Sequence, residues 1–335
     1  MDLIGQRGIK GVIAPNHVKI MRFSPIINSM SLEARKVINS PFGLNLAYTI
    51  GKYTPLKLGN RIAFFAADLI SARTDWKLVC AARTNQWVAS GGNLDERALS
   101  ALVIENFRNI AVSIFDYYHN INNPGESLRM IEPHPYAIQL VQRPEFSDRG
   151  LILVGVHMSN FDMAFQLGGL AGIKALVLTL PEFNAAYQKQ WEMRSKSGLK
   201  FIMGSGESVR YAINYLRSGG LIITAVDRPD PASTYHPMFF NRPASLPIHH
   251  IFLALKAQVP IVIGALIKKP DEKYHMLFSD PIEMQPHPDR RTEIMLNAEN
   301  ILRVAEDFIR QDTKQWAMTF PVWPDITFHR NGMDQ

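Results

Sequence analysis

A histidine and a carboxylate follow an apolar run near the middle of the chain. The run Leu151 to Val156 leads directly into His157, and Asp162 comes five positions later. A short apolar run predicts a buried strand, and open α/β sheets bind ligands at the carboxyl ends of their strands. An imidazole at that edge can deprotonate an attacking hydroxyl group, and a carboxylate on its other nitrogen fixes the tautomer. The spacing therefore predicts a general base, His157, oriented by Asp162.

The same residues also have purely structural interpretations. A single histidine after an apolar strand is commonly a hydrogen-bonded core residue. The segment Ser159 to Asp162 has the Ser-x-x-Asp pattern of a capping box, in which the carboxylate closes the N-terminus of a helix. Residues five apart on one helix lie about 140° apart, so His157 and Asp162 meet only if His157 precedes the helix. A cap at Ser159 predicts that arrangement, and both interpretations stay open.

Three more charged residues are candidates for the same site. Asp227 and Arg228 end the apolar run Leu221 to Val226, which again predicts the carboxyl end of a strand. They either face the crevice beside His157, lie in a solvated loop, or form a structural Asp–Arg pair. Arg194 lies late in a helix predicted from Phe183 to Ser197. It either binds phosphate or a developing oxyanion, or it complements the C-terminus of that helix.

Two aromatic residues are further candidates, and two adjacent histidines are not. Phe239 and Phe240 are adjacent in a predicted loop, and we expect them to be exposed. They either line an acyl or acceptor channel or staple the loop to the core. His249 and His250 are also adjacent, but no further ligands stand at a recognisable spacing, so the sequence predicts no metal site.

Apolar strands and helices alternate along the chain from Leu151 onward. Such alternation predicts an α/β fold with a largely parallel sheet flanked by helices on both faces. Residues 1–40 are predicted to be irregular and residues 41–120 mostly helical. The sequence thus predicts an N-terminal helical region, residues 1–120, and an α/β domain, residues 121–335. Aromatic and basic residues mix within residues 41–72, which form either a membrane-interfacial segment or ordinary core helices.

Composition narrows the choice of partners. The chain has 335 residues, a net charge of +6 and a single cysteine, Cys80, which excludes a disulfide within the chain. Cys80 lies in a predicted helix, where we expect it to be buried. A basic protein attracts anionic lipid or an acidic carrier protein. No dense run of Lys and Arg is present, so nucleic acid is not an expected partner. The sequence also contains no run of about 20 apolar residues, so it predicts no spanning helix.

Several motifs, in this order, resemble those of the lipid A biosynthesis (lauroyl/myristoyl) acyltransferase family, including its phosphatidylinositol mannoside acyltransferase-like relatives. The resemblance covers about residues 70–325, and the order and spacing of the motifs carry it. The matching segments are Glu105-Asn106-Phe107-Arg108-Asn109, the His-x4-Asp box from His157 to Asp162, Arg194 with Gly198, Leu216-Arg217-Ser218-Gly219-Gly220 followed by Asp227, Phe239 to Ala244, Gln315-Trp316 and Val322-Trp323-Pro324.

The resemblance implies a glycerolipid acyltransferase-like fold and a membrane-associated O-acyltransferase. His157 would be the general base and Asp162 its partner, with Arg194 and Asp227 as further site residues. The donor would be a thioester of acyl carrier protein or coenzyme A, and the acceptor a hydroxyl of a glycolipid or phospholipid. No metal or other cofactor is implied. The enzyme would lie at the cytoplasmic face of the inner (plasma) membrane, as a peripheral or monotopic protein on an anionic surface.

Three places in the chain depart from the family pattern, and three rival functions stay open. Arg228 stands where relatives carry Gln, Asn241 replaces a glycine, and His249-His250 replaces a Gly-Pro step. The rivals are a thioesterase or other hydrolase on the same scaffold, a non-catalytic protein that binds lipid or carrier, and a nucleic-acid binder suggested by the charge alone.

Overall fold

The computed structural model describes residues 41–179, 191–203, 206–329 and 332–334. The predicted irregular segment 1–40 and most of the helix predicted from Phe183 lie outside these residues; residues 191–195 are helical. Four helices come first, and α4 packs against the other three. They are α1 (Pro41–Tyr53), α2 (Leu56–Ser71), α3 (Lys77–Ala89) and α4 (Glu96–Asn120).

The rest of the described chain builds a seven-stranded sheet with helices on both faces. Its strand order is β1-β9-β8-β2-β5-β3-β4, and the pairs are parallel except for β8 with β9. The predicted fold class is confirmed. The strands are β1 (Ile131–Glu132), β2 (Leu151–Gly155), β3 (Leu176–Thr179), β4 (Lys200–Met203), β5 (Leu221–Ala225), β8 (Ile261–Lys268) and β9 (Tyr274–Phe278).

The remaining elements are helices, a 3-10 turn and two small hairpins. The helices are α5 (Pro124–Met130), α6 (Pro135–Gln142), α7 (Phe161–Leu170), α8 (Gly206–Arg217), α9 (His249–Ala257) and α10 (Arg290–Gln311). A 3-10 turn, Thr313–Gln315, follows α10. Two small hairpins are formed by β6 (Met238–Phe239) with β7 (Arg242–Pro243) and by β10 (Thr327–His329) with β11 (Gly332–Asp334).

The central strands are apolar on both sides because both sides are covered. Ile152 and Ile222 belong to the core shared with α8, α9 and α10, whereas Leu151 and Ile223 belong to a second core with Leu140 of α6. This two-sided burial explains the continuous apolar runs in the sequence. β2 lies between β5 and β8 in parallel register, with Gly155 beside both Ala225 and Gly264. The carboxyl ends of these three strands therefore form one edge.

Two tight turns account for residue choices that the motifs left unexplained. Phe240 and Asn241 have φ angles of 50° and 58° and connect β6 to β7. Positive φ at both central positions fits a type I′ hairpin turn, and Asn tolerates this region better than most residues, which explains how it replaces a glycine. Gly219 has φ +90°, and a Cβ there would lie 1.8 Å from the carbonyl oxygen of Ser147.

One prediction about the N-terminal helices is wrong. Cys80 lies in α3 as expected, but its side chain is exposed and not buried. Its Sγ donates to the carbonyl oxygen of Thr74 at 3.1 Å. The apolar neighbours Val79 and Ala82 take the core side of the helix, so the short apolar run does not reveal on which side Cys80 lies.

Candidate active site

His157 lies in the turn between β2 and α7, at the carboxyl end of a central strand. Ser159 has φ 49°, and the Asn160 side chain accepts the backbone N–H of Met163 at 3.3 Å, which makes Asn160 the N-cap of α7. The expected arrangement, with the histidine ahead of the helix, is present. The expected cap at Ser159 is wrong by one residue, because Ser159 occupies the left-handed turn that redirects the chain.

The Asp227 carboxylate holds the His157 side chain and the turn that carries it. The imidazole Nδ1 lies 2.6 Å from Asp227 Oδ1, and the backbone N–H of His157 donates to Oδ2 at 2.9 Å. The indole N–H of Trp316 also donates to Oδ2, at 2.8 Å. Asp227 is fully buried. Burial by itself raises the pKa of Asp227, but the neighbouring imidazole and these three donors outweigh it and hold the pKa below the ordinary value.

This contact determines which ring nitrogen of His157 carries the proton. An ionised carboxylate only accepts hydrogen bonds, so Nδ1 carries the proton and Nε2 has the free lone pair. The side chain is 21% exposed, whereas that of its partner Asp227 is 0% exposed. The pair therefore has the chemistry of a general base, since the buried carboxylate also stabilises the imidazolium that forms when Nε2 takes a proton.

Asp162 does not take the place that the sequence reasoning gave it. Its Oδ1 accepts from Nε of Arg194 at 2.6 Å, and both side chains are largely buried. The predicted contact between Asp162 and the imidazole is wrong, because Asp227 occupies Nδ1. Phe161 connects the two charged pairs: its ring meets that of His157 edge-on at 4.8 Å, and the Arg194 guanidinium lies 5.8 Å from the Phe161 ring centre.

An apolar cavity of about 120 Å³ opens beside His157, between α7 and the sheet. Val156 and Phe161, which flank the His157 turn, are among its lining residues. Its walls are almost entirely hydrocarbon, and Gly155 and Gly264 lie side by side in the sheet that forms one wall. A long alkyl chain fits such a lining, because transfer of apolar surface out of water is favourable.

A second, polar cavity of about 420 Å³ lies on the Asp162 side of α7. Phe165 lines both cavities, so they are neighbours. The charged residues around the polar one are Asp162, Arg194 and Lys196. Its other lining residues include Tyr48 of α1, Tyr117 of α4, Gln166 and Ser197. The site thus combines the imidazole of His157 with an apolar and a polar compartment.

Phe239 and Phe240 are buried behind the site, so the expected exposure is wrong. Their exposed fractions are 0% and 7%, and both pack against Trp316 and Trp323. The backbone N–H of Phe240 donates to Glu306 of α10 at 2.6 Å. They anchor the β6–β7 hairpin to the core, so neither side chain has the exposed surface that contact with a substrate requires.

Arg228 and the two adjacent histidines have contacts other than the imidazole. The Arg228 guanidinium stacks over the Phe320 ring at 4.3 Å, and burial lowers its pKa. Its role in substrate binding stays a prediction. His249 Nε2 lies 2.8 Å from Thr224 Oγ1, and burial lowers the pKa of His249 to about 4, so it is neutral. Within the described ranges, no cluster of three or more His, Cys, Asp and Glu residues is arranged to hold a metal ion.

The segment from Thr313 to Ala317 is the part of the site that the sequence reasoning missed. The backbone N–H of Ser159 donates to the carbonyl of Gln315, and that of Ala317 donates to the carbonyl of His157, both at 2.8 Å. The only sequence signal was the Gln-Trp motif, which had no assigned task. In the structure this motif holds the turn that carries His157, because the segment forms a short antiparallel bridge along that turn.

Comparison with known proteins adds one match and one absence. The model of the bacterial lipid A biosynthesis acyltransferase family matches residues 81–324. This range covers nearly three quarters of the chain and contains His157, Asp162, Arg194, Asp227 and Trp316. No curated protein gives a significant match to the chain.

Proposed function

Because the chain belongs to the bacterial lipid A biosynthesis acyltransferase family, and is thus an acyltransferase of lipid biosynthesis, we propose that it moves a fatty acyl chain from a thioester to a hydroxyl of a membrane lipid. His157 is the general base of this proposal. The observation that carries it is the free Nε2 of an imidazole held by a buried carboxylate beside an apolar cavity.

The proposed reaction is a single transfer with one proton relay. Nε2 of His157 takes the proton of the acceptor hydroxyl while its oxygen attacks the thioester carbonyl carbon. The resulting imidazolium is stabilised by Asp227. The tetrahedral intermediate then collapses with cleavage of the carbon–sulfur bond, and the departing sulfur takes the proton from Nε2. The products are an ester of the lipid and a free thiol, and His157 returns to its initial state.

The two compartments are assigned to the two substrates. The alkyl chain of the donor occupies the apolar cavity, whose lining residues Val156 and Phe161 flank the turn that carries the base. The head group of the acceptor, a glycolipid or phospholipid, occupies the polar cavity with Asp162 and Arg194. The donor is acyl carrier protein or coenzyme A thioester, since both present the same reactive carbonyl. Arg228 remains a candidate for contact with either substrate.

We place the enzyme on the cytoplasmic face of the inner membrane, bound through α1 and α2. Large apolar side chains are exposed on these helices: Phe42, Leu46, Tyr53, Leu56, Leu58, Phe64, Phe65 and Leu69. Lys52, Lys57 and Arg61 lie among them, a mixture that suits the interface of an anionic bilayer. One helix in the described part of the chain, α4, is long and apolar enough to cross a membrane, but it packs against α1, α2 and α3 as core helices do.

An acyl transfer assay tests the proposal. Labelled acyl-CoA and acyl carrier protein thioesters are offered with a panel of membrane lipids to the wild type and to His157→Ala. We expect a labelled lipid from the wild type and none from the variant. Release of free fatty acid alone, dependent on His157, would replace the proposal with a hydrolase. Equal lipid product from both proteins would exclude His157 as the base.

A further inference from the structure

The Trp316 indole contacts the carboxylate that holds the catalytic imidazole. Its N–H donates to Asp227 Oδ2 at 2.8 Å, while Oδ1 contacts Nδ1 of His157 at 2.6 Å. We propose that Trp316 is a positioning residue that fixes the rotation of the Asp227 carboxylate so that Oδ1 faces the imidazole. This inference rests on the proposed function, in which His157 is the base.

The need for such a residue follows from the shape of a carboxylate. Its two oxygens turn together, so a donor on Oδ2 determines where Oδ1 points. The backbone N–H of His157 is the other donor to Oδ2. That donor belongs to the turn being positioned, whereas the Trp316 indole comes from a different part of the chain. Hydrogen bonds to a buried charged group are also stronger than those at a surface.

Trp316 is itself held firmly in place. Its backbone carbonyl accepts the side-chain amide of Asn106 of α4 at 2.8 Å, and the same amide donates to the carbonyl of Lys314 at 2.9 Å. Gln315, its neighbour, exchanges two hydrogen bonds with the backbone of Lys268, each at 2.7 Å. The indole is fully buried and packs against both Phe239 and Phe240. The donor therefore has one position, which a positioning residue requires.

Other charged groups near this assembly are engaged elsewhere. Glu306 of α10 accepts from Phe240 and pairs with Arg310. Arg228, next to Asp227, lies over Phe320. Lys268 of β8 pairs with Asp116 and Glu272. His249 of α9 contacts Thr224, and Asp312 pairs with Lys314 beside the 3-10 turn. His157 is thus the titratable group in direct contact with the Asp227 carboxylate among the described residues.

The chain offers a matched control in Trp323. It is 4% exposed, lies in the same aromatic cluster and stacks on Phe239 at 5.6 Å. Its indole N–H is buried without a hydrogen-bond partner. Trp316→Phe and Trp323→Phe therefore remove the same atoms from the same cluster, but only the first removes a donor from Asp227.

The experiment compares both variants in the full-length chain by kinetics. We expect Trp316→Phe to lower kcat roughly 10- to 100-fold, with KM for the thioester unchanged, as for loss of a hydrogen bond to a charged group. Trp323→Phe keeps the wild-type kcat and KM. Equal losses of kcat in both variants, or a loss in Trp316→Phe that appears in KM and not in kcat, would overturn the proposal.

A spectroscopic measurement keeps the test independent of activity and of the proposed function. The proton on Nδ1 of His157 gives a far-downfield NMR signal when a carboxylate holds it, and His157→Gln assigns that signal by removing it. We expect Trp316→Phe to displace or broaden the signal, and Trp323→Phe to leave it in place. An unchanged signal in folded Trp316→Phe contradicts the proposal. If the wild type shows no acyl transfer, the proposed function is wrong, but the NMR measurement still tests the role of Trp316.

Discussion

At the scale of single residues, strand register decides which carboxylate meets the histidine. Gly155 of β2 lies beside Ala225 of β5. His157 and Asp227 each follow two positions after that pair, so parallel strands bring them together at the sheet edge. Asp162 is the second residue of α7, and its carboxylate accepts a hydrogen bond from Arg194 instead. The two carboxylates are therefore expected to act differently when each is changed to its amide.

We expect Asp227→Asn to be far more damaging than Asp162→Asn. The amide that replaces the Asp227 carboxylate would still fit, but its NH2 group can donate to Nδ1 and stabilise the wrong tautomer. By analogy with other base-orienting aspartates, kcat should fall by about 10³- to 10⁴-fold. Asp162→Asn leaves Nδ1 with its partner and weakens the hold on Arg194, so it should raise KM for the acceptor more than it lowers kcat. Steady-state kinetics of both variants checks this, and equal loss of kcat would contradict it.

Asp227 also gives stability a specific dependence on pH. Its pKa in the folded protein lies below the ordinary value of about 4, so the ionised carboxylate stabilises the fold above that pH. This contribution disappears as the pH falls through the folded-state pKa. We expect the difference in Tm between wild type and Asp227→Asn to shrink as the pH is lowered from about 5 to 3. A difference that stays constant over this range would show that folding does not lower the pKa of Asp227.

The residue-level chemistry could be predicted only where it depends on local sequence. The apolar run before His157 was enough to predict a histidine ahead of a helix at a strand end. The partner of its Nδ1 could not be predicted, because that depends on which strand lies beside β2. Asp227 was a candidate for the same crevice, but nothing in its neighbourhood distinguishes a partner of His157 from a solvated loop residue.

At the scale of elements, two glycines in neighbouring strands give the apolar cavity its room. Gly155 and Gly264 are paired in register and both line it. A Cβ at Gly155 would meet only the carbonyl oxygen of Thr224, at an ordinary contact distance of 3.6 Å. Alanine therefore fits there without displacing the backbone, and its methyl group takes space from the ligand.

The preferred acyl length should follow the volume of this cavity in both directions. We expect Gly155→Ala to shorten the preferred chain by about one or two carbons, and Leu140→Ala, at the α6 wall, to lengthen it by about two or three. Competition among thioesters of graded length measures the shift. Gly125→Ala, which is not among the residues that line the apolar cavity and has only Asn123 near its new methyl, serves as the control. An unchanged length preference in both cavity variants would remove the alkyl chain from this cavity.

Periodicity predicted most elements but not how they pack against one another. The strands from Leu151 and from Leu221 were predicted close to their observed bounds because burial on two faces leaves a clear apolar run. The adjacent pair Phe239 and Phe240 gave no such pattern. Their burial depends on Trp316 and Trp323, which approach from a distant part of the chain.

At the scale of the whole molecule, the exposed apolar side chains of α1 and α2 lie near the polar cavity, which Asn45 and Tyr48 of α1 help to line. A bilayer against these helices would bring the acceptor to the cavity without a passage through water. The predicted division at residue 120 stays a prediction, and the hydrogen bonds of Asn106 to Lys314 and Trp316 cross it.

We expect Phe65→Glu to weaken binding to anionic vesicles by at least about tenfold, since it places a charge where apolar surface enters the interface. Phe65 is 66% exposed on α2. Phe146→Glu is the matched control, because Phe146 is 52% exposed in the loop before β2, at the opposite end of the strand from His157. Vesicle flotation measures both, and equal flotation of the two variants would exclude α2 as the contact surface.

The bridge between Met158 and Trp316 also has a consequence for the order of synthesis. Every strand of the seven-stranded sheet precedes Thr313 in the chain, whereas the segment that fixes the Asp227 carboxylate follows it. A growing polypeptide can therefore assemble its sheet on the ribosome while His157 still lacks its final orientation. Chains that have not yet reached this segment would hold the strand ends of His157 and Asp227 together without the Trp316 contact to Oδ2.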